Sequence, residues 1–459
     1  MYPNRARAEV GSGRDGDSGG YGLRAGGTRA LSVGRSACPG SGWDRSVACG
    51  GLLKGCRVTA IGERRGCIVR VYFCDSTLRD GEQAPGVAFR RAEKIALAQL
   101  LDEVGVDEIE VGVPAMGGRE EEDLAELISL PIRARRVAWN RIRWEDIAAS
   151  LRCGASRLHM AMPVSDVMLH KKLSVSREEA LFQLLAVVEE ACSRDSQISV
   201  GFEDASRADP LFLSRVVRAL EPYPILRFRV ADTLGVLTPF STRELILRLK
   251  DAGAKSLEFH GHNDLGLAVA NTLAAVEAGA DWVGTTVLGL GERAGNAAFE
   301  VVAVAVRRLL GKEVHIRLPL LRRLAEQVSA ASGMHIPLQA PVVGDRVFTH
   351  ESGIHVDGVL KSPETYEPYP PEWVGRAHSV VFGKHSGRNG LRRILEGRGY
   401  LPTADQLDAL LEEIRLLAVV QKRFLSEEAV CRLYRELCKS SKDGQAVADR
   451  LRNEEKTAG

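Results

Sequence analysis

Two imidazoles two residues apart, in His260-Gly261-His262, are the sharpest chemical feature of the chain. In an extended strand, side chains at i and i+2 share a face, so both rings point the same way. Alone, such a pair serves equally well as two surface or hydrogen-bonded histidines. The segment DSTLRDGEQAPG, from Asp75 to Gly86, adds Arg79, Asp80, Glu82 and Gln83 directly after the apolar run IVRVYFC. GLGERAGN supplies an amide, Asn296. A carboxylate, two imidazoles and an amide oxygen brought together suit Mg²⁺, Mn²⁺ or Zn²⁺. Positions left open for water and substrate make such an ion catalytic. No thiolate accompanies the motif, which argues against a structural zinc site.

These residues meet only if the fold carries them to one place. From residue 68 onward short β-rich runs alternate with helical stretches. The runs are IVRVYFCD (68–75), EIEVGVP (108–114), RRVAWN (135–140), RLHMAMP (157–163), ISVGFED (198–204), LRFRVAD (226–232), SLEFHGH (256–262) and WVGTTVLG (282–289). Between them lie RAEKIALAQLLDEVG, SREEALFQLLAVVEEA, STRELILRLKDAG and LAVANTLAAVEAG, several closed by the glycine expected just past a helix end. Eight strand–helix units in about 240 residues predict an α/β fold, a (β/α)₈ TIM barrel. An open doubly wound sheet is the alternative. It would want a glycine-rich phosphate turn after the first strand, where this chain has a charged loop.

A barrel carries its chemistry at the C-terminal ends of its strands. Arg79 and Asp80 follow the first run, Glu110 lies in the second and Arg141 follows the third. Glu203 ends the fifth, Asp232 and Thr233 end the sixth, the two histidines end the seventh and Asn296 follows the eighth.

The remainder of the chain bounds the function. Net charge is +2 over 459 residues, with no global basic field to imply nucleic acid. Nine scattered cysteines without a CxxC pair fit a reducing, cytoplasmic setting. No apolar run reaches the roughly 20 residues that span a bilayer, so no membrane is expected. Residues 1–66 are rich in Gly and Arg without an apolar period. They read as disordered or as a start assigned too far upstream. The expected division is a barrel over 67–312, a smaller mixed subdomain over 313–400 and a short helical tail over 401–459.

Four longer motifs resemble a known group: DSTLRDGEQAPGVAF, HGHNDLGLAVANTLAAVEAGA, GLGERAGNAAFE and FTHESGIHVDGVLKSPETYE. They are similar to the acyl-CoA condensing enzymes of the DRE-TIM metallolyase superfamily, which includes 2-isopropylmalate, citramalate and homocitrate synthases. AWNR, MPVSDVMLHKKL, GFEDASRAD and VVGDRVFTHESGIH resemble the nitrogen-fixation type of homocitrate synthase. The resemblance covers about 68–400. It implies a divalent metal ion, acetyl-CoA as co-substrate and 2-oxoglutarate as acceptor, giving (R)-homocitrate and CoA. It implies Asp80, His260 and His262 as metal ligands, with Asn296 as a further ligand or supporting group. Arg79 is implied to face developing negative charge, and Glu203, His355 and Tyr366 to form the acid–base set. Gln83, Glu110, Thr233 and Glu258 are implied to hold the 2-oxo acid. Family members use the segment 313–400 to lend His and Tyr to a partner's barrel, so a homodimer is implied.

Departures bear on the substrate. Glu258, two residues before His260, favours 2-oxoglutarate. Yet the Arg and Ser that grip the distal carboxylate in lysine-pathway relatives fall on Ser199 and Gly201 here. Arg141 or Arg207 is left to supply a cation, because a buried carboxylate needs a partner. The short tail after Gly399 reads as helices, and no leucine-binding regulatory domain is expected in it. The loop FGKHSGR (382–388) reads as a plain turn before it reads as a phosphate contact. A 2-isopropylmalate or citramalate synthase stays open as the alternative. A lyase of the 3-hydroxy-3-methylglutaryl-CoA type is more remote, since such enzymes typically lack the His355…Tyr366 segment. A catalytically dead scaffold would be expected to have lost one of the motif residues, and none is missing.

Overall fold

The computed structural model describes residues 70–439; the expectation for 1–66 lies outside them. Eight parallel strands close on themselves: β1 (Tyr72–Asp75), β2 (Glu108–Gly112), β3 (Arg135–Arg141), β4 (Arg157–Pro163), β5 (Gln197–Glu203), β6 (Ile225–Asp232), β7 (Leu257–Gly261) and β8 (Trp282–Thr285). β8 pairs with β1, Phe73 opposite Val283, which completes the barrel. All eight predicted runs are strands. The second stops early because Gly112 turns to φ +150°, where the register against β3 shifts; a Cβ there would crowd Leu124. The eighth ends at Thr285, and Val287–Gly289 form a tight turn instead.

A helix follows each strand: α1 (Arg91–Val104), α2 (Gly118–Ser129), α3 (Trp144–Arg152), α4 (Arg177–Cys192), α5 (Pro210–Ala219), α6 (Pro239–Asp251), α7 (Ala268–Glu277) and α8 (Phe299–Leu309). Their starts are chemically marked. Ser176 and Glu179 close a capping box on α4, and Asp209 caps α5 ahead of Pro210.

Alternation sorts the strand residues. Ile109 and Val111 of β2, Phe228 and Val230 of β6, and Leu257 and Phe259 of β7 pack outward in the apolar shell shared with the helices. Their neighbours Glu108, Glu110, Arg227, Arg229 and Glu258 are buried too, so they fill the lumen. Barrel interiors are more often filled by branched aliphatic side chains. Here the filling is a chain of ion pairs. Glu108 takes Arg157 and Arg227 at 2.5 Å each. Arg227 reaches Glu258 at 2.5 Å, and Glu258 lies 2.6 Å from Arg229. Arg229 reaches Glu110 at 2.6 Å, and Glu110 holds Arg79 at 2.6 Å.

Downstream lie α9 (Leu321–Ser332), β9 (Thr349–His350), α10 (Gly353–Lys361), β10 (Ser379–Val380), α11 (Arg388–Gly397), α12 (Ala404–Gln421) and a helical run over 427–439. Packing does not follow the expected divisions. Leu321, Leu324, Val328, Val343 and Phe348 belong to the barrel's own apolar shell. A separate core joins Val356, Phe382, Leu391 and Leu395 to Leu407, Leu410, Ile414 and Val430, so it runs across position 400. Among the described residues no helix is long and apolar enough to cross a membrane.

Candidate active site

The loop after β1 is built by local hydrogen bonds. Thr77 N donates to Asp75 Oδ1 at 3.0 Å, and Val287 N donates to Thr77 Oγ1 at 2.9 Å. This short, anchored turn delivers Arg79 and Asp80 to the C-terminal mouth of the barrel. Arg79 is fixed from below: Nε donates to Glu110 Oε2 at 2.7 Å, and Ser76 Oγ donates to the same oxygen at 2.7 Å. Its guanidinium carbon stands 5.5 Å from the centre of the Trp139 ring, and Nη1 lies 3.4 Å from Asp80 Oδ1.

On β7 the two histidines share the inner face, as the i, i+2 spacing predicts. His260 Nε2 lies 2.9 Å, and His262 Nε2 3.9 Å, from Asp80 Oδ2. One ligand atom from each of the three can be chosen so that all lie within 4.8 Å of one another. Asn296, which the resemblance implies as a further ligand or supporting group, is brought beside His262 by a backbone bridge. Asn296 Nδ2 donates to Leu290 O at 3.0 Å, which leaves Oδ1 to point elsewhere. Asn296 Oδ1 is buried without a hydrogen-bond partner, and Asp80 Oδ2 is buried with the His260 and His262 Nε2 atoms as its near neighbours. Buried orphan acceptors are rare in folded proteins and call for a cation or donor. Adjacent ligands of an octahedral ion with bonds near 2.1 Å sit about 3 Å apart, so the spacing fits a divalent metal.

Electrostatics prepare the same atoms. Burial alone would raise the Asp80 carboxyl, but Arg79 and the His260 imidazole outweigh it and hold it well below the usual carboxylate range. Burial and the neighbouring His260 lower His262 to about 4, so its imidazole is neutral, the form that binds metal.

A cavity of about 240 Å³ opens above this cluster. Its lining brings together Arg79, Asp80, Gln83, Glu203, Thr233, His260 and His262, which the sequence put forward. Glu203 accepts from Lys172 at 2.7 Å, and Thr233 Oγ1 accepts from Asp204 N at 2.8 Å. Three expected substrate residues are placed elsewhere. Glu110 and Glu258 are wholly buried, and their oxygens are engaged by arginines of the lumen chain. They support the site from beneath. Arg141 turns out of the mouth because Asp146, five residues later in the first turn of α3, holds it with two bonds of 2.8 Å. Arg207 is likewise tied down by Asp204.

The sequence reading missed His159, Arg229, Trp139, Glu292 and Arg293, all of which line the cavity. His159 faces inward from β4, and its signal was available in the alternation of RLHMAMP. His355, on α10, does not line the cavity of its own barrel. Its ring stacks on Tyr366, centroids 4.1 Å apart and 23° between planes. Both side chains are exposed on the downstream region.

Comparison with known proteins decides the family. Residues 70–328 match the model described as HMGL-like, and residues 342–422 match the one described as homocitrate synthase post-HMGL domain-like. The chain belongs to the HMGL-like family. Homocitrate synthase 1 of Nostoc is 43% identical over 80% of this chain and 97% of its own. 2-Isopropylmalate synthase 2 of Caldanaerobacter subterraneus is 42% identical over 80% and 96%. The crystal structure of hydroxymethylglutaryl-CoA lyase from Pseudomonas aeruginosa superposes with a TM-score of 0.52 over 57% of this chain and 93% of its own. At 23% identity that likeness speaks to the fold. As an HMGL-like enzyme the chain joins a family that is generally dependent on a divalent metal, in keeping with the donor set at its mouth.

Proposed function

We propose that this HMGL-like enzyme is an acyltransferase that condenses acetyl-CoA with 2-oxoglutarate and hydrolyses the thioester, giving (R)-homocitrate and CoA. The observation that carries the reading is the cluster of Asp80, His260 and His262 beside Arg79 in one small cavity, with the unpartnered amide oxygen of Asn296 on a residue bridged to His262. A divalent ion held there would polarise the ketone of a bound 2-oxo acid as a Lewis acid.

The chain's own residues supply the rest. Gln83 and Thr233 line the cavity and orient the 2-oxo acid. Arg79 stabilises the alkoxide that develops as the new carbon–carbon bond forms. Its direction is set by Glu110 and by the Trp139 ring. The acetyl methyl group is a very weak acid, so a base must stand within about 3 Å of it. Glu203 lies in the cavity, whereas His355 and Tyr366 stand on the downstream region. In this reading they serve the barrel of a partner subunit in a homodimer. The motifs shared with the nitrogen-fixation type extend the proposal to synthesis of the nitrogenase iron-molybdenum cofactor.

A second reading, 2-isopropylmalate synthase, is favoured by the name of the Caldanaerobacter relative. One assay separates the two. Purified protein is given Mg²⁺ or Mn²⁺ and acetyl-CoA, with 2-oxoglutarate, 2-oxoisovalerate or pyruvate, and the acid product is detected directly. Homocitrate from 2-oxoglutarate is expected. Product from 2-oxoisovalerate or pyruvate alone would replace the proposal.

A further inference from the structure

Resting on the reading that a 2-oxo acid occupies the mouth, we propose that Arg229 selects the substrate class. It receives a second, distal carboxylate, so the cavity takes 2-oxo dicarboxylic acids ahead of 2-oxo acids with an apolar tail.

Three arginines line the cavity: Arg79, Arg229 and Arg293. Arg79 adjoins Asp80 and belongs to the reacting end. Arg293 sits at the rim, 38% exposed, held by Asp264 at 2.8 Å and by the Thr233 carbonyl at 2.7 Å. Arg229 is only 3% exposed. It stands two residues before Ala231, the register partner of His260, and so one pleat deeper than the metal ligands. Its neighbour in register on β5 is Gly201, which in turn faces Ala161 on β4. Both are small, and both line the cavity with Arg229. A Cβ at Gly201 would run into His159 Nε2, so the glycine makes room for the imidazole as well.

The guanidinium has donor capacity left. Of its five N–H groups, Nη1 donates to Glu110 at 2.6 Å, while Nε lies 2.6 Å from Glu258 without forming a hydrogen bond. Nη2 has the Cys74 thiol at 3.5 Å, a weak acceptor. An incoming carboxylate is a far stronger partner for Nη2. His159 adds a second polar wall. Burial and the nearby Arg229 hold it well below its ordinary pKa, so it presents a neutral ring, with Nδ1 engaged by Ser199 Oγ at 2.9 Å. An apolar tail would press against a guanidinium and an imidazole and satisfy neither.

The test is calorimetric titration of Mn²⁺-loaded protein, without acetyl-CoA, by 2-oxoglutarate, 2-oxoisovalerate and pyruvate. Arg229→Lys keeps a charge between Glu110 and Glu258 but loses the planar fork. It is expected to weaken 2-oxoglutarate about 30-fold. Pyruvate, which has no distal group, should change by less than about threefold. Equal losses for both acids, or unchanged 2-oxoglutarate binding, would overturn the assignment of Arg229. Ala161→Val touches no ion pair and narrows the space beside the guanidinium. It should lower the 2-oxoglutarate-to-pyruvate preference about tenfold, and it decides the matter if Arg229→Lys does not fold. An unchanged preference there overturns the proposal. Wild-type protein that prefers 2-oxoisovalerate would overturn the substrate reading and this inference together. A wild-type preference for 2-oxoglutarate that survives in both variants overturns this inference alone.

Discussion

Glu110 does not line the cavity, yet its charge should govern the rate. It accepts from Arg79 Nε at 2.7 Å, from Ser76 Oγ at 2.7 Å and from Arg229 Nη1 at 2.6 Å, wholly out of water. Burial alone would raise this carboxyl, but Arg229 and Arg79 outweigh it and hold it well below the usual range. Glu110→Gln keeps the shape and one acceptor oxygen but removes the charge shared by two buried guanidinium groups. Breaking a buried pair costs about 3–5 kcal/mol. The retained oxygen puts the expected loss at the lower end, about 3 kcal/mol, read from urea unfolding. Arg79 then loses the anchor that aims it at the developing oxyanion. Misplacing one such donor lowers kcat about 10²–10³-fold. Mn²⁺ affinity should change by less than about threefold, because Asp80, His260, His262 and Asn296 keep their own supports. The decisive comparison is kcat against Mn²⁺ affinity in the same folded variant. Wild-type turnover, or metal affinity falling in step with kcat, would refute the argument that Glu110 acts through Arg79.

His262→Ala should abolish both Mn²⁺ binding and turnover. A chelator should lower the melting temperature of the wild type but not of this variant; normal turnover would remove His262 from the metal site. Tyr366→Phe should slow catalysis while leaving 2-oxo acid affinity nearly unchanged, and a wild-type rate would exclude Tyr366 from proton transfer. If the subdomain serves a partner's barrel, co-refolding inactive His262→Ala and His355→Ala chains should restore about a quarter of the sites, while sites completed within one chain would give no recovery. Burial pushes Asp75 and Glu300 up to about 7. Their folded pKa values lie above the unfolded ones, so their contribution is fully present below about pH 4 and is lost as pH rises through about 7. Asp75→Asn should therefore flatten the stability profile between about pH 4 and 7, measured by urea midpoints, and an unchanged slope would count against a neutral buried Asp75.

The strand count was legible because each strand announces itself in a short β-rich run with a turn at its end. The metal cluster was legible because period-2 spacing puts His260 and His262 on one face, and the barrel rule places Asp80 and Asn296 at the same mouth. What could not be read was depth. Alternation shows that Glu258 and His260 share a face, but not that one pleat separates a ligand at the mouth from an ion-paired group in the lumen. Glu110 was lost for the same reason. Arg141 failed differently: its strand ends at the correct rim, yet Asp146 on the next helix captures it, a contact set by three-dimensional proximity. That one core would join residues on both sides of position 400 was not legible, because helix periodicity gives an element's apolar face without naming what covers it. Arg229 was visible as a letter in LRFRVAD, and only closure of the barrel set it beside the small residues Gly201 and Ala161.

The unbroken run of alternating charges from Arg157 to Asp80 also bears on how such a sequence can change. Four guanidinium groups and four carboxylates neutralise one another along it, and every internal member is shared by two neighbours. A single replacement within it takes one of two partners from each internal neighbour and leaves the lumen with a net buried charge, whereas a matched pair of replacements does not. The lumen is therefore expected to change in pairs. A route from one substrate class to another through position 229 crosses a poorly stable intermediate unless Glu110 or Glu258 changes with it, so relatives that have lost this arginine are expected to have lost one of those glutamates too.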